Sequence, residues 1–342
     1  MIRKQANPMM DRRTFIKKTS AAAGALLGLG GTALAADKPF RIYMMLFRGW
    51  EEGCDGFRDY FAARDIPVEL IIRDAKQQRT AIPEMVREAK DLRPDLVYIW
   101  GTQIAVAALG RWNAPDPRIH ITDLPVVFNF VGEPVENGIV QSLERTGRNA
   151  TGTYFLAPIK TQLNTMTAYR SFKRIGVIYN PAESSSVATV KALEQASGPA
   201  GFELLAMQVP LNAAKDLIPE SLPELVQSLK QRQADWLYIP TGTSLQVHRM
   251  ELTNAALEAR LPSFAATERF ISFANGLAGL VCRYYNIGQF TGFKAEQILR
   301  GTKPEAIPIQ TLNRFSFLIN MRTANALRFY PPLSMLSYAE TV

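Results

Sequence analysis

Four polar turns in this sequence carry residue types that are suited to holding a small ligand. Each turn follows an apolar run and precedes an amphipathic segment: Thr102-Gln103, Gly132-Glu133, Ser184-Ser185-Ser186 and Thr241-Gly242-Thr243. A Thr or Ser at such a place can cap the next helix and leave backbone N–H groups free, which suit a carboxylate or another anion. For any single residue, helix capping alone is an equally good interpretation.

A cation and an aromatic ring follow the first apolar run. Arg48 and Trp50 offer a charge and a ring face to a ligand, although a lid over the protein's own core explains them equally well. Glu268 and Arg283 follow two later apolar runs. These four residues complete the set of candidate ligand-binding residues.

No catalytic motif accompanies the turns. His120 and His248 are the two histidines, and neither lies in a zinc-binding spacing. The sequence lacks a phosphate-binding glycine loop with Lys, a dinucleotide fingerprint and a Gly-x-Ser-x-Gly elbow. It therefore predicts no catalytic residue, no metal site and no cofactor, and it favours a binding protein over an enzyme. Cys54 and Cys282 allow one disulfide, but two free buried thiols are favoured.

The N-terminus has the pattern of a twin-arginine export signal. Residues 11–17 read DRRTFIK, a charge-free stretch covers residues 19–36, and Ala33-Leu34-Ala35 fits a cleavage site. A basic disordered tail or a membrane-spanning helix are the alternatives, but the stretch is short for a span and contains four glycines. We predict a signal peptide over residues 1–35 and a soluble periplasmic product without a lipid anchor.

The positive charge of the chain lies largely in this segment. Residues 1–35 contribute +5 of the formal net charge of +8, which leaves +3 for the remaining 307 residues. The composition therefore gives no reason to expect nucleic-acid binding. A chain of this remaining length is expected to form two domains of ordinary size.

Strand and helix patterns alternate through two consecutive series. The runs are short and nearly continuously apolar, as in parallel strands covered on both faces. Strands are predicted over 41–47, 68–72, 95–100 and 125–130, then over 174–179, 203–209, 235–239 and 262–265, with helices over 51–64, 79–91, 103–111, 184–196, 221–231 and 245–259. A further strand (277–282), a helix (286–300) and a last strand (315–319) follow. The fold class is α/β, with two Rossmann-like, doubly wound parallel-sheet lobes that meet near residues 151–158.

The order of several segments resembles a known family. The segments are 124–128 (LPVVF), 147–152 (GRNATG), 173–181 (KRIGVIYNP), 284–288 (YYNIG) and 298–304 (ILRGTKP). Together they resemble the bacterial ABC-transporter substrate-binding proteins of the type associated with tryptophan and tyrosine importers.

This resemblance implies a type I periplasmic-binding fold, with a small-molecule solute held between two lobes that close around it. It also implies a multi-strand hinge, a monomer, and an ABC permease in the inner membrane as the partner. Lobe 1 is then expected over 37–154 plus 283–312, and lobe 2 over 155–282 plus 313–342.

Three turns depart from the family pattern. Gly132-Glu133 stands where the family usually has an Asp, Ser185-Ser186 where it usually has Asn-Ser, and Thr241-Gly242 where it commonly has Thr-Asp. Acidic residues near the cleft hold the ammonium of amino-acid ligands in family members. Gly242 offers no carboxylate, and Glu133 could hold an ammonium only if its longer side chain reaches. An α-amino acid is therefore disfavoured, and a carboxylate or another neutral-to-acidic solute remains open.

Two other functions fit the same pattern. A binding protein of this fold can report to a membrane sensor instead of a permease. A two-lobed Rossmann-like enzyme, such as a transferase, would need a nucleotide site, for which the sequence shows no fingerprint.

Overall fold

The computed structural model describes residues 38–342. The predicted signal peptide over residues 1–35 lies outside the described residues. Within 38–342, none of the helices combines the length and the apolar character that crossing a membrane requires.

The first half of the described chain forms a five-stranded parallel sheet. Its strands lie in the order β2-β1-β3-β4-β5, and every neighbouring pair is parallel. The elements are β1 (Phe40–Leu46), α1 (Glu52–Ala62), β2 (Val68–Asp74), α2 (Ile82–Leu92), β3 (Leu96–Trp100), α3 (Thr102–Leu109), β4 (Val126–Asn129) and β5 (Ala150–Gly152).

The second half forms a seven-stranded sheet in the order β12-β11-β10-β9-β8-β6-β7, in which only the β10–β11 pair is antiparallel. The elements are α4 (Ile159–Tyr169), β6 (Arg174–Tyr179), α5 (Ser184–Ala200), β7 (Glu203–Gln208), α6 (Leu222–Gln231), β8 (Trp236–Ile239), α7 (Thr243–Val247), α8 (Arg249–Glu258), β9 (Ser263–Ala265), α9 (Arg269–Ser272), β10 (Ala278–Val281), α10 (Tyr284–Leu299), β11 (Ser316–Ile319), α11 (Met321–Leu327), α12 (Leu333–Leu336) and β12 (Ala339–Thr341).

The two sheets repeat one topology. In each, the first strand lies between the second and the third, and the fourth and fifth strands extend the sheet beyond the third. The predicted α/β fold with two parallel-sheet lobes is confirmed. In open sheets of this order, ligands bind beyond the carboxyl ends of the strands, where the strand order reverses.

One predicted helix is two helices in the structure. The segment predicted as a helix over 245–259 forms α7 and α8, which are separated at His248, where the backbone (φ −93°, ψ 31°) is not helical. The His248 Nδ1 lies 3.4 Å from Glu251 Oε1 in the first turn of α8. The strands β5 and β12 were not predicted, because neither Ala-Thr-Gly nor Ala-Glu-Thr forms an apolar run.

Three apolar clusters fill the layers. One lies between the first sheet and the helices α2 and α3, and another lies between the second sheet and the helices α6 and α8. The third is continuous through both lobes and includes Phe57, Trp100, Phe130, Trp236 and Phe264. The two lobes therefore share a core instead of being separated by a solvated linker.

The chain passes three times between the two sheets. It leaves the first sheet after β5, where Thr153 pairs with Gln310 in a parallel bridge, and enters the second through α4. After β10 the chain returns to the first lobe, where α10 packs against α1. It crosses to the second lobe again before β11, which pairs with β10. These passages form the hinge of several segments that was predicted.

Glycines allow α1 and α10 to approach each other closely. A Cβ atom at Gly56 would lie 2.0 Å from the Tyr285 carbonyl oxygen, and one at Gly288 would lie 2.0 Å from the Gly53 carbonyl oxygen. Neither backbone can move without separating the helices. The contact therefore requires glycine on both helices.

Gly288→Ala tests this contact. The added methyl group is expected to push the helices apart and to lower the free energy of unfolding by about 1–3 kcal/mol, the usual cost of overpacking. The matched control is Gly198→Ala in α5, where an added Cβ atom meets nothing within 4 Å and improves helix propensity. Urea denaturation measures both. Equal stability of the two variants would contradict the close contact.

Candidate functional site

A cavity of about 280 Å³ lies between the carboxyl ends of the two sheets. Its walls are the turns that follow β1, β3 and β4 in the first sheet and β6, β8 and β9 in the second. Its lining residues are Arg48, Arg79, Ile82, Trp100, Gly101, Thr102, Gln103, Val106, Ala107, Phe130, Gly132, Phe155, Ala182, Glu183, Ser184, Ser185, Thr241, Gly242, Thr243, Gln246, Thr267 and Tyr284.

Nine of the fourteen candidate residues line this cavity. They come from five separate turns of the chain: Arg48, Thr102, Gln103, Gly132, Ser184, Ser185, Thr241, Gly242 and Thr243. Three turns of the first lobe and two of the second thus meet at one place, because the carboxyl ends of parallel strands share one edge of a sheet.

Three other candidates lie outside the lining and are engaged in the structure of their own lobe. The Trp50 ring is 37 % exposed, and its Nε1 donates to Asp55 Oδ1 at 2.9 Å. Glu133 Oε1 accepts from the Tyr154 hydroxyl at 2.9 Å. Ser186 is fully buried, and its Oγ donates to the Thr241 carbonyl oxygen at 2.9 Å.

The last two candidates, Glu268 and Arg283, also lie outside the lining. They form an ion pair with each other, with 2.7 Å between Arg283 Nε and Glu268 Oε2. Arg283 also contacts Glu340 Oε2 at 3.0 Å. The pair lies where the chain passes from β10 to α10, so its contacts explain both charges without a ligand.

The predicted helix caps are wrong. The residues before the three helices at the cavity are Gly101, Glu183 and Gly242, and none of them caps its own helix through a side chain. Thr102 Oγ1 instead accepts from the Gly132 N–H at 2.9 Å and joins two turns of the first lobe. A tertiary contact between turns thus stands where the sequence suggested local capping.

Aromatic rings form the apolar part of the wall. The ring centroid of Phe130 lies 4.2 Å from that of Trp100, 4.2 Å from that of Tyr284 and 5.1 Å from that of Phe155. All four side chains are buried and belong to the shared core. Sequence analysis missed them because an aromatic residue at the end of a strand is usually a core residue.

Glu183 is the main residue that sequence analysis missed. It is only 5 % exposed, and its Oε1 accepts from the Ser244 N–H at 2.9 Å and from Gln103 Nε2 at 3.3 Å. Its Oε2 is buried and has no hydrogen-bond partner among residues 38–342. Burial raises the pKa of this carboxyl above its ordinary value of 4.5, although Ser244, Arg48 and Arg79 oppose the rise.

Gly242 makes room for this carboxylate. A Cβ atom at Gly242 would lie 2.4 Å from Glu183 Oε2. The backbone there is extended (φ 162°), a conformation open to any residue, so a side chain at 242 would meet only the end of the Glu183 side chain and would have to displace it. Position 242 has no carboxylate of its own, and the carboxylate of Glu183 lies beside it.

This arrangement adds a carboxylate to the argument about the ligand. An α-amino acid was disfavoured because Gly242 has no carboxylate and Glu133 stands in an altered turn. Glu133 does not line the cavity, but Glu183 does, with one oxygen unpartnered among the described residues. That argument counted only positions 133 and 242, and Glu183 adds a carboxylate that it did not count.

Contacts between the two lobes surround the cavity. Arg48 is held by Glu51, with 2.7 Å between Arg48 Nε and Glu51 Oε1, and its Nη1 donates to Thr243 Oγ1 across the cavity at 3.4 Å. Arg269 of the second lobe donates to Glu52 Oε2 of the first at 2.8 Å. With the bond from Gln103 to Glu183, these contacts hold the two walls together.

One neutral donor in the cavity also lacks a partner. Gln246 Oε1 accepts from the Thr267 hydroxyl at 3.2 Å, but its buried Nε2 meets no acceptor within the described chain.

Metal binding has no support in the same region, since residues 38–342 contain no group of three or more His, Cys, Asp or Glu side chains able to hold an ion. Cys54 and Cys282 are buried free thiols, as favoured from the sequence.

Glu183→Gln tests the burial of this charge. Because the pKa is raised in the folded state, the contribution of Glu183 to stability is present at low pH and is lost as the pH rises through the raised pKa. Removing the charge should therefore stabilise the ligand-free protein by about 1–2 kcal/mol at pH 7.5, and by less at pH 4.5. Denaturation at both pH values measures this, with Glu224→Gln, an exposed glutamate of α6, as the control. A gain that does not change with pH would contradict a raised pKa.

Known proteins share this architecture. A tyrosine-binding protein of Clostridioides difficile is 30 % identical over 236 residues, which are 69 % of this chain and 63 % of that protein, so less than two thirds of the relative is spanned. A Streptococcus pneumoniae ABC domain in complex with L-Trp has a TM-score of 0.74 at 20 % identity, covering 88 % of this chain and 99 % of that one. A conserved domain protein of Vibrio cholerae has a TM-score of 0.76 at 22 % identity, with 89 % and 99 % covered.

These two structures support the fold, a type I periplasmic-binding architecture. The family model for ABC transporter substrate binding proteins matches residues 50–342, which is most of the chain. The chain belongs to the family of ABC transporter substrate-binding proteins.

Proposed function

We propose that this protein captures a small molecule in the cavity between its lobes and delivers it to an ABC permease in the inner membrane. The observation that carries the proposal is a cavity lined by the strand ends of both sheets. A site shared between two lobes couples ligand contacts to lobe closure, since the ligand binds the closed state better than the open one.

The proposed lobes follow the three chain passages. Lobe 1 comprises residues 37–154 plus 283–312, and lobe 2 comprises 155–282 plus 313–342. The packing of α10 on α1 and the pairing of β11 with β10 support these limits. We propose that the lobes rotate about the passages, and that the monomer acts without catalysing a reaction on its ligand.

Ligand binding tests the proposal directly. Native mass spectrometry of freshly purified protein should show one bound solute per chain. In a thermal-shift panel that includes L-tyrosine and L-tryptophan, which the names of the relatives suggest, a ligand at 100 times its Kd should stabilise the folded state by about 2.7 kcal/mol. Turnover of a bound substrate, or no bound solute in either assay, would overturn the proposal. Loss of uptake on deletion of the gene would separate a permease partner from a sensor.

We also propose export to the periplasm by the twin-arginine route. Residues 11–17 support it, and they lie outside the described part of the chain. The double variant Arg12→Lys and Arg13→Lys should retain the full-length precursor in the cytoplasm, as fractionation and immunoblotting would show. Arg3→Lys, which lies outside the pattern, is the control and should be exported. Normal export of the double variant would exclude this route.

A further inference from the structure

Arg269 of the second lobe is a cation whose ion-pair partners within residues 38–342 all lie in the first lobe. Its Nη1 lies 2.8 Å from Glu52 Oε2 and 3.5 Å from Glu51 Oε1. Its Nε is buried and has no hydrogen-bond partner in the same range of residues. The charge of this guanidinium is therefore neutralised from the other lobe.

The charge of the first lobe in this region is balanced only by that contact. Glu51 binds Arg48 through both of its oxygens, at 2.7 and 3.0 Å. Glu52 pairs with Arg269 and with no other cation in the described part of the chain. One arginine against two glutamates leaves a charge of −1 on the first lobe, which Arg269 neutralises when the lobes touch.

Burial strengthens the attraction between these side chains. Those of Arg48, Glu51 and Arg269 are at most 16 % exposed, and that of Glu52 is 34 % exposed. A carboxylate and a guanidinium attract each other more strongly in a partly buried site than in water, although desolvation offsets part of the gain. Here one guanidinium faces two carboxylates, which favours the arrangement in which the lobes are in contact.

The contact lies beside the ligand cavity and not in it. Glu51, Glu52 and Arg269 are absent from the cavity lining, so no solute takes part in their contact. Glu51 nevertheless connects the contact to the cavity, because it holds Arg48, which does line the cavity. Arg48 Nη1 in turn donates to Thr243 Oγ1 of the second lobe at 3.4 Å.

We propose that Glu51, Glu52 and Arg269 form a latch that holds the two lobes together before a solute binds. This inference rests on the proposed function and adds to it a control of lobe closure that lies outside the cavity. The apparent affinity for a solute scales with the fraction of free protein that is already in the binding-competent state. The latch therefore raises the affinity for every solute by one common factor and leaves the choice between solutes to the cavity.

Small-angle X-ray scattering of the ligand-free protein tests the latch without reference to a ligand. The protein is dialysed until native mass spectrometry shows no bound solute. Arg269→Met keeps much of the length of the side chain and removes its charge, and it should enlarge the radius of gyration because the lobes separate. Arg174→Met is the matched control. It removes an ion pair with Glu203, at 2.9 Å within the second lobe, and should scatter like wild type.

Glu52→Gln removes the charge on the other side of the latch. This position is the more exposed one, so the variant keeps the test decisive if Arg269→Met folds poorly, and it should enlarge the radius of gyration in the same way. Isothermal titration calorimetry with L-tyrosine and L-tryptophan supplies a second measurement. For each of the two that wild type binds, both variants should weaken binding by about 5-fold, with one factor for both amino acids.

The possible failures are distinct. If Arg269→Met and Glu52→Gln scatter like wild type, the latch is overturned and the proposed function stands. Unchanged affinities, or unequal factors for the two amino acids, also overturn the latch, because the substitutions would then have no effect on closure or would act within the cavity. Absence of any bound solute, in mass spectrometry of fresh protein and in all titrations, overturns the proposed function, whereas the scattering still decides the latch.

Discussion

The close approach of α1 and α10 is the constraint on which the rest of the structure depends. It fixes the returning part of the chain to the first lobe and so creates the second and third passages between the sheets. It also sets the cavity wall, because a Cβ atom at Gly53 would lie 2.6 Å from the Phe130 ring and 2.8 Å from the Trp100 ring. The aromatic wall therefore packs directly against the backbone of α1, and Tyr284, the first residue of α10, completes it.

Several charges around the cavity lie in ion pairs. Arg48 is bound to Glu51, and Arg269 reaches Glu51 at 3.5 Å and Glu52 at 2.8 Å, so the first and second lobes share a chain of alternating charges. Buried ion pairs of this kind contribute more to fixing an arrangement than to stability, since desolvation offsets their attraction. Glu183 differs because its Oε2 is buried without a hydrogen-bond partner among residues 38–342.

The sequence was sufficient for the parts of this molecule that depend on local pattern. The short apolar runs predicted the long strands and the two-lobed α/β fold, and the rule for strand ends predicted nine residues of the cavity. Glu183 was missed although it lies in a turn already singled out, because its role depends on Ser244, 61 residues later. Glu133 was included because of its position in the sequence, yet its side chain is bound to Tyr154.

The fit between Glu183 and Gly242 also affects how sequences of this family are compared. An acidic residue at either position can supply a negative charge to this region, and a side chain at 242 would displace the end of the Glu183 side chain. A column-by-column comparison at position 242 alone would classify this chain as lacking the charge. The electrostatic character of the cavity is therefore a property of two positions considered together, separated by 59 residues in the chain and adjacent in the fold.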